Sequence, residues 1–582
     1  SGFLITGIIS RGIGAGTFSF RKFYYRRAKR LLPAAYVVIA VTVLLAPWFL
    51  SELAIEDLKA QVIGALTFTA NVVLWMQTGY FEAGGETKAL LHFWSLAIEE
   101  QYYMVMPLLL FLLPRPFWLP VVAGIMLVLG AASPYFAWSN PDAAFFLPHT
   151  RAWELAVGSF GALLPARYLG TRALSLARVP AIAVLLSIPF FPTGLPHPGV
   201  DAMLVCLATL VIILGHDNSR WEKILPARGL AFVGDFSYSL YLVHWPIVVF
   251  TKAAWLEGAP PHALAIAVAL SFVLAWLLFR FVEEPFRQGF NRYPARTVGT
   301  ILAASLVIAT APTAISAATA SSVDFTKMLR RNYGLDTVCA DRAAGFTELP
   351  AECRSTDNPK ILVWGDSFAM MWAKALADAM PDKGVLQATL PRCSPMFRSA
   401  ISSVRASKDR RQESEDCLDF NNSVMDLIVR STELETVVVS SPFAAPLSRG
   451  AYLLTRGADG KVDETRLNRD LSIEQMKTIA ETIRASGKKL VFIAPPPRLK
   501  LDMAACQERL MRGLVTFTRY KNCAIPEASW RRTRKRTIDF LDDVANAGVP
   551  VLYPSDFLCT EGVCATAMDG TIIYRDHGHL SY

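Results

Sequence analysis

Two different patterns of apolar and polar residues divide the chain near residue 320. In the first part long apolar segments recur, and several approach the roughly 20 residues that a helix needs to cross a bilayer. Two are doubtful spans, because 180–192 is short and 150–164 carries two charged residues. The pattern predicts a polytopic α-helical membrane domain over residues 1–318. The apolar segments are 34–50, 58–76, 95–113, 118–136, 150–164, 180–192, 200–216, 230–250, 262–283 and 297–318.

From residue 360 onward, short apolar runs alternate with amphipathic stretches. The amphipathic stretches 474–486 and 531–547 predict helices that lie between strands. Strands that alternate with helices predict a parallel sheet covered on both faces, which is a three-layer α/β domain over residues 359–582. Residues 319–358 are then a linker and an extension. The apolar runs that predict buried strands are 361–364, 385–390, 436–441, 489–494 and 549–553.

The composition agrees with a membrane portion, and the basic residues give its orientation. The 582 residues are only 18% charged, whereas soluble domains carry about 25% charge. Basic clusters precede the first and the last full span, and positively charged loops stay in the cytoplasm. The last span then leads outward, so we expect the C-terminal domain outside. The clusters are Arg21, Lys22, Arg26, Arg27, Lys29 and Arg30, and Arg287, Arg292 and Arg296.

The number of spans stays open at this point. Two loops on the same side require an even number of crossings between them, but nine candidate segments lie there. One is therefore re-entrant, or a further span is hidden in the pattern. The basic loops also account for the net charge of +9, and no basic stretch interleaved with aromatic residues indicates a nucleic-acid groove. We expect a lipid bilayer as a partner, and no nucleic acid.

Eight of the nine cysteines lie in the C-terminal part, which predicts disulfide bonds and an oxidising compartment. Of the many possible connectivities, we expect each cysteine to pair with its nearest neighbour in sequence. Zinc is the alternative, but no Cys-x-x-Cys or His-x-x-x-His spacing supports it. The expected pairs are Cys339–Cys353, Cys393–Cys417, Cys506–Cys523 and Cys559–Cys564.

A serine at the end of the first predicted strand is the main candidate for chemistry. Gly365 allows a sharp turn, and Ser367 would then open a helix whose free N–H groups can stabilise an oxyanion. A serine needs a base, for which His579 is the candidate, and Asp576 can fix the tautomer of that histidine. The alternative is that Ser367 is only a helix cap and His579 a surface residue.

These motifs resemble the first and last blocks of the SGNH (GDSL) hydrolase family. The matching stretches are Val363-Trp364-Gly365-Asp366-Ser367 and Asp576-x-x-His579-Leu580-Ser581. The resemblance implies that Ser367, Asp576 and His579 are catalytic, with a Gly and an Asn from the middle blocks as oxyanion donors. The chain departs there, because the regions 390–395 and 437–442 contain neither residue. The backbone N–H of Ser367 is the donor that remains.

Charged residues in the membrane part form a second set of candidates. Glu99 and Glu100 stand at the start of an apolar helix, where ionisable groups are costly and usually functional; a carboxylate facing headgroups is the alternative. Arg27 and Arg30 share one helical face and could bind the phosphates of a cytosolic anionic cofactor. Positive-inside topology explains them equally well. Further candidates are Arg151 with Glu154, His244 and Glu283.

The membrane part resembles the acyltransferase family 3 proteins. The resemblance implies acetyl-CoA, or another acyl-CoA, as donor, and it implies that Arg27, Arg30 and Glu99 form the cofactor site. The family's proposed catalytic histidine lies upstream of Ser-Gly-Phe-Leu-Ile-Thr, so we expect the chain to be cut at its start, and a signal peptide cannot be judged. The matching stretches are Ser1–Thr6, Arg26–Arg30 followed by Pro33, Trp94–Tyr103, Thr150–Leu155, Tyr241–Pro246 and Glu283–Arg287.

The two resemblances together cover nearly the whole chain and imply an O-acetyltransferase of the bacterial envelope. We expect acetyl-CoA at the cytoplasmic face of the inner membrane, an acetyl ester on Ser367 in the periplasm, and attack on that ester by a sugar hydroxyl. The expected acceptor is an envelope polysaccharide, O-antigen first, and no metal is expected. The alternatives are an esterase anchored by the membrane part and a transporter that carries a glycan-binding domain.

Overall fold

The computed structural model describes residues 1–77, 87–165, 172–215, 225–289, 294–319, 323–340, 349–403, 408–448 and 450–581. The chain divides into two compact units. One comprises Ser1–Ala320 with Leu514–Thr516, and the other comprises Ser321–Gly513 with Phe517–Tyr582.

The first unit consists of helices, as the long apolar segments predict. A π-helical turn at Phe279–Glu283 joins α13 to α14. Serine side chains cap two of the helices, since Ser19 accepts from Lys22 N and Ser51 accepts from Ala54 N. The helices are α1 (Gly2–Gly14), α2 (Phe20–Phe49), α3 (Glu52–Thr67), α4 (Ala70–Met76), α5 (Phe93–Leu112), α6 (Trp118–Ser139), α7 (Pro141–Phe146), α8 (Pro148–Leu163), α9 (Arg172–Ser187), α10 (Val200–Leu214), α11 (Leu225–Asp235), α12 (Ser237–Ala254), α13 (Pro261–Leu278), α14 (Glu284–Gly289) and α15 (Pro294–Ala318).

Within the described residues, four helical segments are long and apolar enough to cross a membrane, fewer than the ten apolar segments of the sequence. The segment 58–76 is two helices, because Phe68 adopts a left-handed φ of 55° and ends α3. Helices α9 and α10 have 16 and 15 residues, short of the roughly 20 that a span needs. The four segments are Phe20–Phe49, Arg115–Ser139, Pro261–Gln288 and Val298–Ala318.

The second unit alternates strands and helices. Its strands are β1 (Ile361–Gly365), β2 (Val385–Thr389), β3 (Ser399–Ser403), β4 (Thr436–Ser440), β5 (Ala451–Arg456), β6 (Val462–Arg466), β7 (Lys489–Ile493), β8 (Ile525–Pro526), β9 (Val551–Leu552), β10 (Cys559–Thr560), β11 (Val563–Cys564), β12 (Ala567–Met568) and β13 (Thr571–Ile572). Its helices are α16 (Phe325–Met328), α17 (Ser367–Ala379), α18 (Lys408–Arg430), α19 (Arg469–Ala485), α20 (Met503–Arg512), α21 (Glu527–Asn546) and α22 (Ser555–Leu558).

The central sheet has the strand order β2-β1-β4-β7-β9, and all its pairs are parallel. Successive side chains of a strand face opposite sides of a sheet. One face packs against α18, α19 and α21 through residues such as Trp364 and Phe492, and the other packs against α17 through Val363 and Ile493. The predicted three-layer α/β arrangement with a parallel sheet is therefore confirmed.

All four predicted disulfides are present, and they join cysteines 14, 24, 17 and 5 residues apart. Their sulfur atoms are therefore not available as zinc ligands. The first bond holds the segment before β1, and the second joins the loop after β2 to α18. The ninth cysteine, Cys206, is a free thiol in α10.

Candidate active site

The turn between β1 and α17 fixes the position of Ser367. Gly365 has a φ of +149°, and a Cβ added there would lie 2.1 Å from the backbone oxygen of Ser440 on the neighbouring strand β4. Only glycine allows the two strands to approach so closely. The side chain of Asp366 caps α17 by accepting from Phe368 N at 2.9 Å. Ser367 therefore lies at the carboxyl end of a central strand, where ligands bind in open parallel sheets.

Gly365→Ala should destabilise this turn by about 3 kcal/mol or more, because it combines a strained φ with a backbone clash. Gly460→Ala is the matched control, since Gly460 has a φ of +79° but nothing within 4 Å of the added Cβ. Hydrogen exchange of β1 and β4 measures the effect, and it should accelerate only in the Gly365 variant. Equal protection in the two variants would mean that the contact with Ser440 does not constrain the turn.

Three side chains that are far apart in sequence meet at this turn. Ser367 Oγ lies 2.8 Å from His579 Nε2, and His579 Nδ1 lies 2.8 Å from Asp576 Oδ2. The imidazole packs against the Phe368 ring, with 4.6 Å between the ring centroids. The structure thus places the serine, the histidine and the aspartate of the sequence hypothesis in the order that nucleophilic catalysis needs.

The carboxylate of Asp576 is held in one orientation. Its Oδ1 accepts the backbone N–H groups of Gly578 and His579, each at 2.8 Å, and its Oδ2 accepts from the guanidinium of Arg575. Burial opposes the ionised form, but the hydrogen bond and charge of His579 outweigh it, and the pKa of Asp576 lies well below its ordinary value. Asp576 therefore remains an acceptor for the Nδ1 proton of His579.

Asp366 has a structural role beside the triad. Ser441 Oγ donates to its Oδ2 at 2.7 Å. Burial raises the pKa of Asp366 to about 6, against the hydrogen bonds from Ser441 and from Phe368 N. Because both of its oxygens are used, Asp366 connects the ends of β1 and β4 and is not free to act as the triad acid.

The oxyanion donors differ from those of the resembled family. In the region where its asparagine is expected, Ser440 Oγ donates to Ile493 O and Ser441 Oγ donates to Asp366. The buried amide of Asn421 donates to the carbonyls of Ser394 and Ser399. Among the described residues, the N–H of Ser367 has no acceptor, so this group at the start of α17 is available to an oxyanion.

Arg498 lies near the site, and no sequence motif indicates it. It follows β7 in a proline-rich loop, and its guanidinium lies 5.2 Å from the centroid of the Phe368 ring. A Cβ added at Gly578 would be 2.9 Å from its Nη1, so this cation stands next to the loop that carries His579. Burial, followed by the charge of Arg534, lowers the pKa of Arg498 to about 10, and the guanidinium stays charged.

In the first unit, Arg27 and Arg30 have different surroundings. Arg27 forms an ion pair with Glu100 and lies over the Tyr103 ring, 3.9 Å from its centroid. Glu99 accepts from Ser1 Oγ at 2.8 Å and from Tyr103 OH at 3.2 Å. Arg30 is exposed, and within the described residues it forms no ion pair. The charge of Arg27 is thus paired directly with Glu100, whereas Arg30 has no carboxylate within ion-pair distance among the described residues.

The other charged candidates of this unit have protein partners. Arg151 pairs with Glu154 at 3.0 Å. His244 Nδ1 lies 2.7 Å from Tyr241 O, and the buried Glu283 accepts from Ser239 Oγ at 2.8 Å. These contacts are those of a hydrogen-bonded packing residue at His244 and of a satisfied buried carboxyl at Glu283.

Comparison with known families matches both halves of the chain. Residues 1–280 match the family described as "Acyltransferase domain", and residues 338–582 match the family described as "SGNH domain (fused to AT3 domains)". Among solved protein structures, none matches the chain.

Three curated proteins illustrate the relationship. The putative peptidoglycan O-acetyltransferase YrhL of Bacillus subtilis is 29% identical over 320 residues, which are 51% of this chain and 50% of that protein. The peptidoglycan O-acetyltransferase OatA of Listeria monocytogenes is 30% identical over 318 residues, 50% and 51% of the two chains. The O-acetyltransferase OatA of Staphylococcus aureus is 30% identical over 338 residues, 52% and 55%. The chain thus spans about half the length of the curated relatives it matches.

Proposed function

We propose that the chain, whose two parts match an acyltransferase family and an SGNH family, is a membrane O-acetyltransferase of an extracytoplasmic envelope polysaccharide. The observation that carries the proposal is the contact chain from Ser367 through His579 to Asp576 in a protein whose other half matches an acyltransferase family. A serine ester formed at this site can be passed to a hydroxyl group.

Each group at the site has a part in this reaction. Ser367 Oγ attacks the acetyl carbonyl that the membrane domain delivers, while His579 Nε2 takes its proton and gives it to the leaving group. The N–H of Ser367 stabilises the oxyanion. A sugar hydroxyl then attacks the ester, His579 takes the sugar proton, and Ser367 leaves with that proton restored.

We propose acetyl-CoA as the donor, bound at the cytoplasmic end of α2. Four basic side chains there are exposed, and within the described residues they form no ion pair, so they suit a polyphosphate. Arg27 and Glu99, which lie deeper, would line the acyl end of the donor. The exposed basic residues are Arg21, Lys22, Arg26 and Arg30.

The acceptor is proposed as an envelope polysaccharide on the outer side of the inner membrane. The names of two relatives favour peptidoglycan, and O-antigen is the second candidate. Four disulfides support an oxidising compartment for the second unit, and the basic residues before α15 support an outward direction for that helix.

Membranes that carry the full natural protein should transfer label from [¹⁴C]acetyl-CoA to a glycan added on the periplasmic side. The label should be released by mild alkali, because the bond formed is an ester. Peptidoglycan and O-polysaccharide, offered separately, identify the acceptor. Loss of existing acetyl groups without labelling would instead indicate the esterase, and absence of both reactions would indicate a transport or binding role.

A further inference from the structure

A shallow cleft opens beside the triad at the carboxyl edge of the central sheet. Its cavity volume is about 20 Å³, close to the space of one water molecule, so it can take a single polar group of a ligand rather than a whole sugar. The residues that follow β4 and β7 form one wall, and one face of α21 forms the other. The lining residues that matter here are Pro442, Pro496, Arg498, Trp530, Arg534 and Tyr553.

The cleft contains two guanidinium groups, and the carboxylates of Asp576 and Asp366 act on that of Arg498 only from beyond ion-pair distance. Within the part of the chain that the structure describes, neither Arg498 nor Arg534 forms an ion pair, and the buried Nε of Arg534 has no hydrogen-bond partner. A buried donor without an acceptor has lost its hydrogen bond to water and gained none in return. Two adjacent cations with an unused donor favour an anionic ligand that supplies the missing acceptors.

Arg498 also connects the cleft to the segments that carry the catalytic residues. Arg498 stands beside Gly578, the residue before the His579 base, and its guanidinium lies near Phe368, the residue after the nucleophile. A ligand that binds both arginines therefore lies near the Phe368 ring and the loop that carries His579. Trp530 and Arg534 are four residues apart on one face of α21, so an apolar wall and a charge are presented together, as a sugar acid requires.

We propose that this cleft is an acceptor subsite that binds a carboxylate of the glycan and so places a neighbouring hydroxyl at the acyl-serine. The proposal rests on the proposed function and narrows the acceptor to acidic glycans. Planar guanidinium groups match a carboxylate with two parallel hydrogen bonds. The carboxylate is carried either by a sugar acid or by a peptide attached to the glycan.

Arg534→Gln tests the subsite, with Arg532→Gln as the matched control. Arg532 is exposed on the same helix and, unlike Arg534, does not line the cleft. The probes are a hexuronic-acid oligosaccharide, the same oligosaccharide with its carboxyl groups reduced to alcohols, and a muropeptide. Binding is measured with the whole protein in detergent, and acetyl transfer is measured with an excess of acetyl-CoA.

Loss of one charge-assisted contact should raise the Kd for a carboxylated probe about tenfold. Arg534→Gln should raise the KM for that acceptor by a similar factor and leave kcat nearly unchanged. Arg534→Lys should recover part of the affinity, and Arg532→Gln should behave as the parent protein. The reduced oligosaccharide should bind all variants equally weakly. Preference for the hexuronic acid or for the muropeptide identifies the source of the carboxylate.

Equal effects of Arg534→Gln on the carboxylated and the reduced probes would overturn the subsite, as would no effect on either. The experiment distinguishes failure of the proposed transferase function from failure of the proposed subsite. Binding that depends on Arg534 without any acetyl transfer would refute the transferase and keep the subsite. Acetyl transfer with an unchanged KM in Arg534→Gln would keep the transferase and refute the subsite.

Discussion

Replacing Ser367 with alanine should abolish acetylation of the external glycan, with a loss of rate of about ten-thousandfold or more. The substitution removes the hydroxyl that lies 2.8 Å from His579 Nε2. Helix α17 should still form, because its cap is the side chain of Asp366. The measurement is alkali-labile label on the glycan after incubation of membranes with [¹⁴C]acetyl-CoA.

Ser423→Ala is the matched control, since among the described residues the Ser423 hydroxyl donates to the Asp419 carbonyl on its own helix and to no other group. This variant should acetylate the glycan at the same rate as the unmutated protein. Both variants should reach the membrane in equal amounts with their disulfides formed. Normal acetylation by a well-folded Ser367→Ala protein would show that the membrane domain completes the transfer without the serine.

Asp576→Asn should lower the rate by about ten-thousandfold while the structure persists. The two backbone N–H groups that point at Oδ1 will hold the oxygen of the new amide in that position. Its NH₂ group then faces His579 Nδ1 as a donor, so the imidazole must carry its proton on Nε2. A histidine in that tautomer cannot accept the proton of Ser367.

Asp378→Asn provides the comparison, because Asp378 is exposed and pairs only with Lys374 on the same helix. It should retain full activity. Nitrogen-15 shifts of the labelled imidazole should report the changed tautomer in Asp576→Asn alone. If the Asp576→Asn protein keeps the histidine tautomer and the rate of the unmutated protein, Asp576 has no catalytic role.

The three-layer arrangement of the second unit could be predicted because the strands of its central sheet are buried and appear in the sequence as uninterrupted apolar runs. Each apolar run of the central sheet became a parallel strand, although the run at 549–553 pairs over only Val551–Leu552. The antiparallel sheet of β3, β5 and β6 was missed. Strand β6 has the sequence Val-Asp-Glu-Thr-Arg and is exposed along most of its length, so no apolar alternation marks it.

The triad could be predicted, whereas its surroundings could not. Ser367, Asp576 and His579 belong to short motifs whose spacing itself indicates their chemistry. Arg498 and Arg534 follow no such spacing, and they meet only because the loop after β7 and one face of α21 line the same cleft. In the first unit, Glu100 was named only as the neighbour of Glu99, and its ion pair with Arg27 depends on helix packing that an apolar pattern does not specify.

The disulfides follow one another along the chain without nesting or overlap, and each closes within 24 residues or fewer. If the second unit is exported as proposed, each of its cysteines can therefore pair before the next pair emerges from the membrane. A chain that is oxidised as it emerges from the translocon, N-terminal residues first, obtains all four native bonds by consecutive oxidation. Consecutive pairing of this kind leaves no non-native bond for a disulfide isomerase to correct.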